Sequence, residues 1–310
     1  MVLGLDTSCY RTSAALAEDG VILAEAGELL RVPDGARGLR QSEMLFQHVK
    51  RLPGLVEAVM AKAPRAVRAV AVSAKPRPAE DSYMPAFLAG ASVAASVAAS
   101  LRIPLIETTH QQGHVRAALY GNPLSENFIA VHLSGGTTEI LKVGPGLAVE
   151  CIGGTADISA GQLVDRVGVR LGLPFPAGPH LEALAANHAA EASLPVSVSR
   201  LKCSFSGAEA ALMRRIDGGI APETAAAAVY SHVARTLARL VSQAAIETGF
   251  CDVLLAGGVA SSALMREMLP DRLRRLNGSV RLFWANPGLS GDNAAGVALI
   301  GCDRLKEENA

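Results

Sequence analysis

Residues 2–27, VLGLDTSCYRTSAALAEDGVILAEAG, decide the fold. Three short aliphatic runs, 2–5, 12–17 and 21–27, are separated by Asp6-Thr7-Ser8-Cys9 and by Glu18-Asp19-Gly20. Runs of this length between small polar residues read as strands of an antiparallel meander. The design returns at residues 128–152, FIAVHLSGGTTEILKVGPGLAVECI. Here the strands are 128–133, 139–143 and about 148–152, joined by Ser134-Gly135-Gly136-Thr137-Thr138 and Gly144-Pro145-Gly146. A meander with a small-residue turn after its first strand therefore occurs twice.

Helices and further strands follow each meander. In the first half the spacing predicts a helix over Gln41–Met60, a strand over 67–73, an alanine-rich helix after Lys75-Pro76-Arg77-Pro78 and a strand over 103–107. In the second half it predicts helices over 161–171, 179–190, 207–216, 222–248, 262–275 and 290–306, with strands over 253–256 and 280–284. The chain reads as α/β with two domains, 1–124 and 125–310, the boundary falling near 120–126.

Bulk composition limits the function classes. Half of the 310 residues are apolar and only 4% aromatic, so the core is built from Ala, Val, Leu and Ile. Lys+Arg and Asp+Glu both total 29. This is no basic nucleic-acid footprint, and any RNA contact needs a local patch or a partner. The five cysteines, Cys9, Cys151, Cys203, Cys251 and Cys302, are scattered without a C-x-x-C. That usage reads as reduced and cytoplasmic. No signal peptide is expected. The uncharged run 84–101 is mostly Ala and Ser, broken by Pro85 and Gly90, and reads as a packed helix, with no membrane contact expected.

Two features carry chemistry. His110 and His114 are four apart in a segment expected to be helical, so both imidazoles share one face and can address one metal ion. Isolated H-x-x-x-H pairs are more often solvated. Around them lie three glycine-rich or small-residue segments: 4–8, 133–138 and Ala256-Gly257-Gly258-Val259. Backbone N–H groups in such turns form anion-binding concavities. The last segment ends a strand and opens a helix, whose N-terminus favours an anion.

This plan resembles the actin, sugar-kinase and heat-shock ATPase superfamily, in which two ribonuclease H-like domains hold a nucleotide in the cleft between them. Over nearly its whole length the chain is similar to the tRNA threonylcarbamoyladenosine synthase family, formerly described as O-sialoglycoprotein endopeptidases. The matching segments are 5–9, 110–114, 133–136 and 157–179. Ser204-Phe205-Ser206-Gly207, Gly257-Gly258-Val259-Ala260 and Asp292-Asn293-Ala294-Ala295 match as well. The resemblance implies one divalent metal ion, iron or zinc, held by His110, His114 and Asp292. It implies an adenine nucleotide or acyl-adenylate against His132, Leu133, Ser134, Gly135 and Gly136. Asp165 would contact the ribose and Gly178 the base or sugar. Gly257 and Gly258 would also bind nucleotide, and Ser262 would replace an asparagine that touches it. The implied reaction transfers a threonylcarbamoyl group from its adenylate to a tRNA adenosine. No residue is singled out as a catalytic acid or base. The resemblance further implies pairing through the N-terminal domain with a smaller related subunit or with a second copy, and such a partner would be one route to tRNA. The helix Gln41–Met60, with Met44, Leu45, Val49, Leu52 and Leu55, is the expected contact.

Several positions depart from the family pattern. Tyr10-Arg11 replaces an acidic pair, Gln112 and Gln162 replace glutamates, Ile158 an aspartate and Thr137 a histidine. Residues 74–78 replace a glycine-proline-glycine loop. Alternatives therefore stay open: a degenerate nucleotide-binding scaffold or partner subunit without turnover, carbamoyl transfer to another acceptor, or a phosphotransferase. A peptidase is disfavoured, because no glutamate lies between the histidines.

Overall fold

The computed structural model describes residues 1–8, 10–32, 39–186, 193–289, 291 and 294–307. The chain forms two compact units, Met1–Tyr120 with Gly291–Ala310, and Gly121–Ser290.

The first unit contains β1 (Val2–Ser8), β2 (Arg11–Glu18), β3 (Val21–Leu29), α1 (Gln41–Met60), β4 (Ala69–Lys75), α2 (Phe87–Leu101), β5 (Leu105–Thr109) and α3 (His110–Ala118). The second begins with β6 (Phe128–Leu133), β7 (Thr138–Gly144) and β8 (Ala148–Thr155), followed by α4 (Ala160–Arg170) and α5 (Gly178–Ala185). A hairpin of β9 (Ser197–Ser199) and β10 (Lys202–Ser204) leads to α6 (Ser206–Asp217) and α7 (Pro222–Thr248). β11 (Asp252–Ala256), α8 (Ala263–Leu276) and β12 (Arg281–Trp284) complete it. The chain then returns to the first unit with α9 (Ala295–Glu307).

The first sheet has the order β3-β2-β1-β4-β5. β1 pairs antiparallel with β2 and parallel with β4. The second has the order β12-β11-β6-β7-β8-β10-β9. Its run β8-β7-β6-β11-β12 repeats the first sheet in order and strand direction. The repeat legible at residues 2–27 and 128–152 is thus a repeat of whole-sheet topology. Every residue of β1 is buried, as expected of a central strand covered on both faces. In the second unit, Ile129, Val131 and Leu133 join a core with α7, whose residues Ala225, Ala226, Ala227 and Ala228 are all buried. Among the described residues no helix is long and apolar enough to cross a membrane.

Four expectations are corrected. The last helix was assigned with 125–310, but it packs on β1, β4 and α3 of the first unit. A Cβ on Gly4 would lie 2.7 Å from the Ala294 carbonyl oxygen, and one on Gly301 2.6 Å from the Val2 side chain. Such backbone proximity between segments some 290 residues apart leaves no local signature. Second, Asp6, Thr7 and Ser8 form no open turn: β1 runs through Ser8, opposite Arg11. The Thr7 hydroxyl donates to the Ala86 carbonyl and accepts from Gly90 N–H, both at 3.1 Å. Third, the β9–β10 hairpin was not foreseen, its three-residue strands being too short to show a period. Fourth, α5 starts at Gly178 and is described to Ala185, and α9 begins at Ala295. The expected stretches 187–190, 290 and 292–293 lie outside the described residues.

Candidate functional site

α3 starts at its histidine because Thr109 caps it. Thr109 Oγ1 accepts from the Gln112 N–H at 3.2 Å, and Gln112 Oε1 accepts from the Thr109 N–H at 3.2 Å. This reciprocal box satisfies two donors that the first helical turn leaves unpaired. His110 and His114 then lie one turn apart with Nε2 atoms 2.9 Å from each other. Behind them sits Asp6, fully buried. Its carboxylate accepts from Ser8 Oγ at 3.0 Å and from Ser73 Oγ, and Oδ2 is 3.1 Å from His110 Nδ1. A carboxylate only accepts, so Nδ1 donates to Asp6, and in the neutral ring the lone pair lies on Nε2, facing His114. A carboxylate behind an imidazole is the arrangement that orients metal-binding histidines. Two nitrogens 2.9 Å apart fit within about 2.0–2.1 Å of one zinc ion. Among the described residues no three His, Cys, Asp or Glu side chains converge as a ligand set. The third expected ligand, Asp292, lies outside the described residues.

The second unit holds a cavity of about 390 Å³, the scale of a small-molecule site. Five of the expected nucleotide residues line it: Gly135, Asp165, Gly178, Gly258 and Ser262. Asp165 Oδ1 accepts from Ala177 N–H at 2.8 Å, fixing the loop before α5. It is not a surface partner of its neighbours, since Arg166 pairs with Glu209 and Arg170 with Asp217. Ser262 caps α8 and donates to Glu182 Oε1 at 2.8 Å, the same oxygen that accepts from Leu264 N–H at 3.0 Å. The Tyr230 hydroxyl donates to the Gly178 carbonyl at 3.0 Å. Burial, then the charges of Glu182 and Asp165, push its pKa up, so it stays a neutral donor. Sequence reasoning missed Glu182 and Tyr230. The nearness of Glu182 to Gly178 hinted at the first, whereas nothing in α7 marks Tyr230.

The remaining expected residues have other surroundings. His132 lies on β6 in register with Glu139 and Ala256, and does not line the cavity. Leu133 is buried. Gly257 is a packing glycine: it has φ +103°, and a Cβ there would lie 2.2 Å from the Leu133 carbonyl oxygen. Ser134 closes the turn, its N–H donating to Thr137 O at 2.9 Å and its Oγ accepting from Thr137 N–H at 3.1 Å. A Cβ on Gly135, Gly136 or Gly258 would meet nothing within 4 Å among the described residues. At Gly135 and Gly136 neither packing nor a positive φ demands glycine. α4 clamps this turn. The Ser159 hydroxyl donates to Gly135 O at 2.8 Å, and a Cβ on Gly161 would lie 2.3 Å from Ser134 O.

The structure accounts for four of the departures. Gln112 and Gln162 are the third residues of capping boxes on α3 and α4. Glutamine and glutamate serve equally at that position. Arg11 lies along β3 against Gly27, with Nη2 3.7 Å from Glu25. Ile158 packs on the core of the second unit. Asp157, just before it, accepts from the hydroxyls of Ser204 and Ser206 and from the Phe205 and Ser206 N–H groups. Burial opposes its ionisation, but these donors outweigh it and hold the carboxyl well below the usual range. Two matched segments, 157 and 204–207, are thereby one local structure.

Two α/β units repeat one sheet topology, and the second holds the cavity. Solved structures share the fold. HypF from T. kodakarensis superposes with a TM-score of 0.66 at 16% identity, covering 99% of this chain and 48% of that one, so the chain spans about half its length. A ROK family glucokinase from Streptomyces griseus, in complex with glucose and AMPPNP, gives 0.56 at 16% identity, covering 99% of each chain. The family described as "TsaD: tRNA N6-adenosine threonylcarbamoyltransferase" matches residues 42–299. A tRNA N6-adenosine threonylcarbamoyltransferase of Thermus thermophilus is 32% identical over 308 residues, covering 96% of this chain and 91% of the relative. The chain belongs to the tRNA N6-adenosine threonylcarbamoyltransferase family.

Proposed function

We propose that this chain transfers a threonylcarbamoyl group from its adenylate to the exocyclic amine of a tRNA adenosine. The observation that carries the reading is the histidine pair of α3, its Nε2 atoms 2.9 Å apart and one ring oriented by buried Asp6. With Asp292, these histidines would hold one divalent ion, iron or zinc. Such an ion, when bound, supplies Lewis-acid polarisation of an acyl or phosphoryl oxygen.

The chain's own residues bind and orient. Asp165 and Glu182 each commit one oxygen to backbone or hydroxyl donors, leaving Asp165 Oδ2 and Glu182 Oε2 to accept from the ribose hydroxyls. Gly178 and Gly258 leave room for the sugar and base, and the open faces of Gly135 and Gly136 admit phosphate to backbone N–H groups. In the transfer, the amine nitrogen bonds to the carbamoyl carbon and gives its proton to water. The bond from that carbon to the phosphate oxygen breaks, and AMP leaves with the electron pair.

The lost carboxylates gave the scaffold reading its weight. Two of them are helix-cap positions that glutamine fills, which favours retained turnover. The protein is read as pairing through α1 with a smaller related subunit or a second copy. Phe46 and Val49 of α1 are 56% and 53% exposed, Leu45 is half-buried, and Met44, Leu52 and Leu55 face the core. Incubation with an adenylate-forming enzyme, ATP, bicarbonate, threonine and unmodified tRNA tests the reading. Threonylcarbamoylated nucleoside in the digest, detected by mass spectrometry, is expected. Intact nucleotide binding without product would favour the scaffold, and a product on another amine or hydroxyl a different acceptor.

A further inference from the structure

The chain carries no net charge, yet arginines from three helices of the second unit come together. Five arginines from three helices gather there with no carboxylate partner among the described residues: Arg215 on α6, Arg235 and Arg239 on α7, Arg272 and Arg275 on α8. They are linked. Arg215 Nη2 donates to the Ser193 carbonyl at 3.3 Å, and Arg235 Nη1 to the hydroxyl of the same serine at 3.0 Å. Arg272 Nη2 donates to the hydroxyl of Ser231 at 3.0 Å, one turn before Arg235 on α7. Arg239 follows one turn later, about 6 Å along the axis. The half-buried Arg272 guanidinium is held below its ordinary basicity, by burial and then by the charges of Arg235 and Arg275.

Three carboxylates of α6 and α8 are already engaged. Glu209 pairs with Arg166, Asp217 with Arg170 and Asp271 with Arg274. On α8, Arg272 stands a step of about 100° from Asp271, whereas Arg275 follows Glu267 and Asp271 along one strip, where the Asp271 carboxylate is bonded to Arg274. The negative pole at a helix C-terminus accounts for single arginines in a last turn, as at Arg215 and Arg275. It does not account for Arg235 and Arg239, which sit mid-helix on α7. Clustering like charges is unfavourable unless a counter-charge arrives, and the cluster is all arginine, the side chain whose planar fork fits phosphate oxygens.

We infer that this arginine surface of α6, α7 and α8 docks the phosphate backbone of RNA. It rests on the proposed tRNA acceptor for its occupant, and none of the five residues lines the nucleotide cavity. The test is equilibrium binding of the full chain to unmodified tRNA across a salt series. The variant is Arg239→Glu with Arg275→Glu, both on the exposed surface. Arg235→Gln with Arg272→Gln is a second, milder variant, and AMP affinity reports the fold. Loss of two phosphate contacts lowers the slope of log affinity against log salt by about 1.4–1.8. We expect at least tenfold weaker tRNA binding near physiological salt, unchanged AMP affinity and, in the transfer assay, a raised KM for tRNA with kcat retained. Wild-type tRNA affinity and salt slope in both variants would overturn the surface while leaving the proposed reaction standing. If the variants weaken tRNA binding but the wild type forms no product, the surface stands and the reaction falls. A wild type that binds phosphatidylserine vesicles but no tRNA overturns the inference.

Discussion

Replacing Gly257 and replacing Gly136 should have opposite consequences. An alanine at 257 must adopt φ +103°, which costs about 1–2 kcal/mol for an L residue. Its Cβ would stand 2.2 Å from the carbonyl oxygen of Leu133 and 2.6 Å from its carbonyl carbon. Both are backbone atoms of the central strand β6 and cannot rotate aside. Overpacking of this kind costs about 1–3 kcal/mol. The same carbonyl accepts from Val259 N–H at 3.1 Å, so displacing it forfeits about 1 kcal/mol more. Gly257→Ala should therefore lose about 3–6 kcal/mol, much of a domain's usual margin. At Gly136 nothing lies within 4 Å of the added atom and φ is not positive. Gly136→Val should stay within about 0.5 kcal/mol of the parent. If phosphate approaches this turn, it should nevertheless lose AMP affinity by tenfold or more. Urea unfolding and calorimetric AMP titration on both variants read the two effects separately. A Gly257→Ala protein as stable as the parent would refute the packing argument. Parental AMP affinity in Gly136→Val would refute the phosphate placement.

Four further outcomes are expected. His110→Ala should strip bound transition metal by elemental analysis, and Asp6→Asn should weaken metal affinity about 10–100-fold by removing the acceptor that orients His110; equal metal content in parent and both variants counts against the site. Charges at Phe46 and Val49 should yield monomer in light scattering, whereas a parent that is monomeric alone and with the smaller subunit removes the dimer. His48 and His232 are buried, and burial first of all lowers both to about 4 from 6.5; the unfolded chain then binds more protons, so stability is complete above pH ~6.5 and falls toward pH ~4 by up to about 1.4 kcal/mol per pH unit per histidine, and His232→Gln should flatten that loss in urea titrations. Gln112→Glu with Gln162→Glu should keep both capping boxes and change transfer activity less than about threefold, since a carboxylate at a helix N-terminus adds only about 0.3–1 kcal/mol; recovery of a large activity from none would restore the lost-turnover reading.

Local pattern was enough for the repeat, the helix α1 at its bounds, the histidine pair and the glycine turn at 134–137, because each is written within a few residues. Periodicity, turn chemistry and i,i+4 spacing need no distant partner. Five residues that the family resemblance singled out line one cavity of the second unit. Tertiary structure alone decided the rest. It returned α9 to the first unit through glycine contacts with β1 and β4, and it joined Asp157 to Ser204 and Ser206. It brought Glu182 and Tyr230 into one cavity, and it gathered five arginines from three helices onto one face of a chain whose charges sum to zero. It also separated glycines that look alike in sequence: Gly257 is required by a neighbouring carbonyl, Gly136 by no contact among the described residues. Proximity between segments far apart in the chain is a property of packing, and a sequence read locally carries spacing but not proximity.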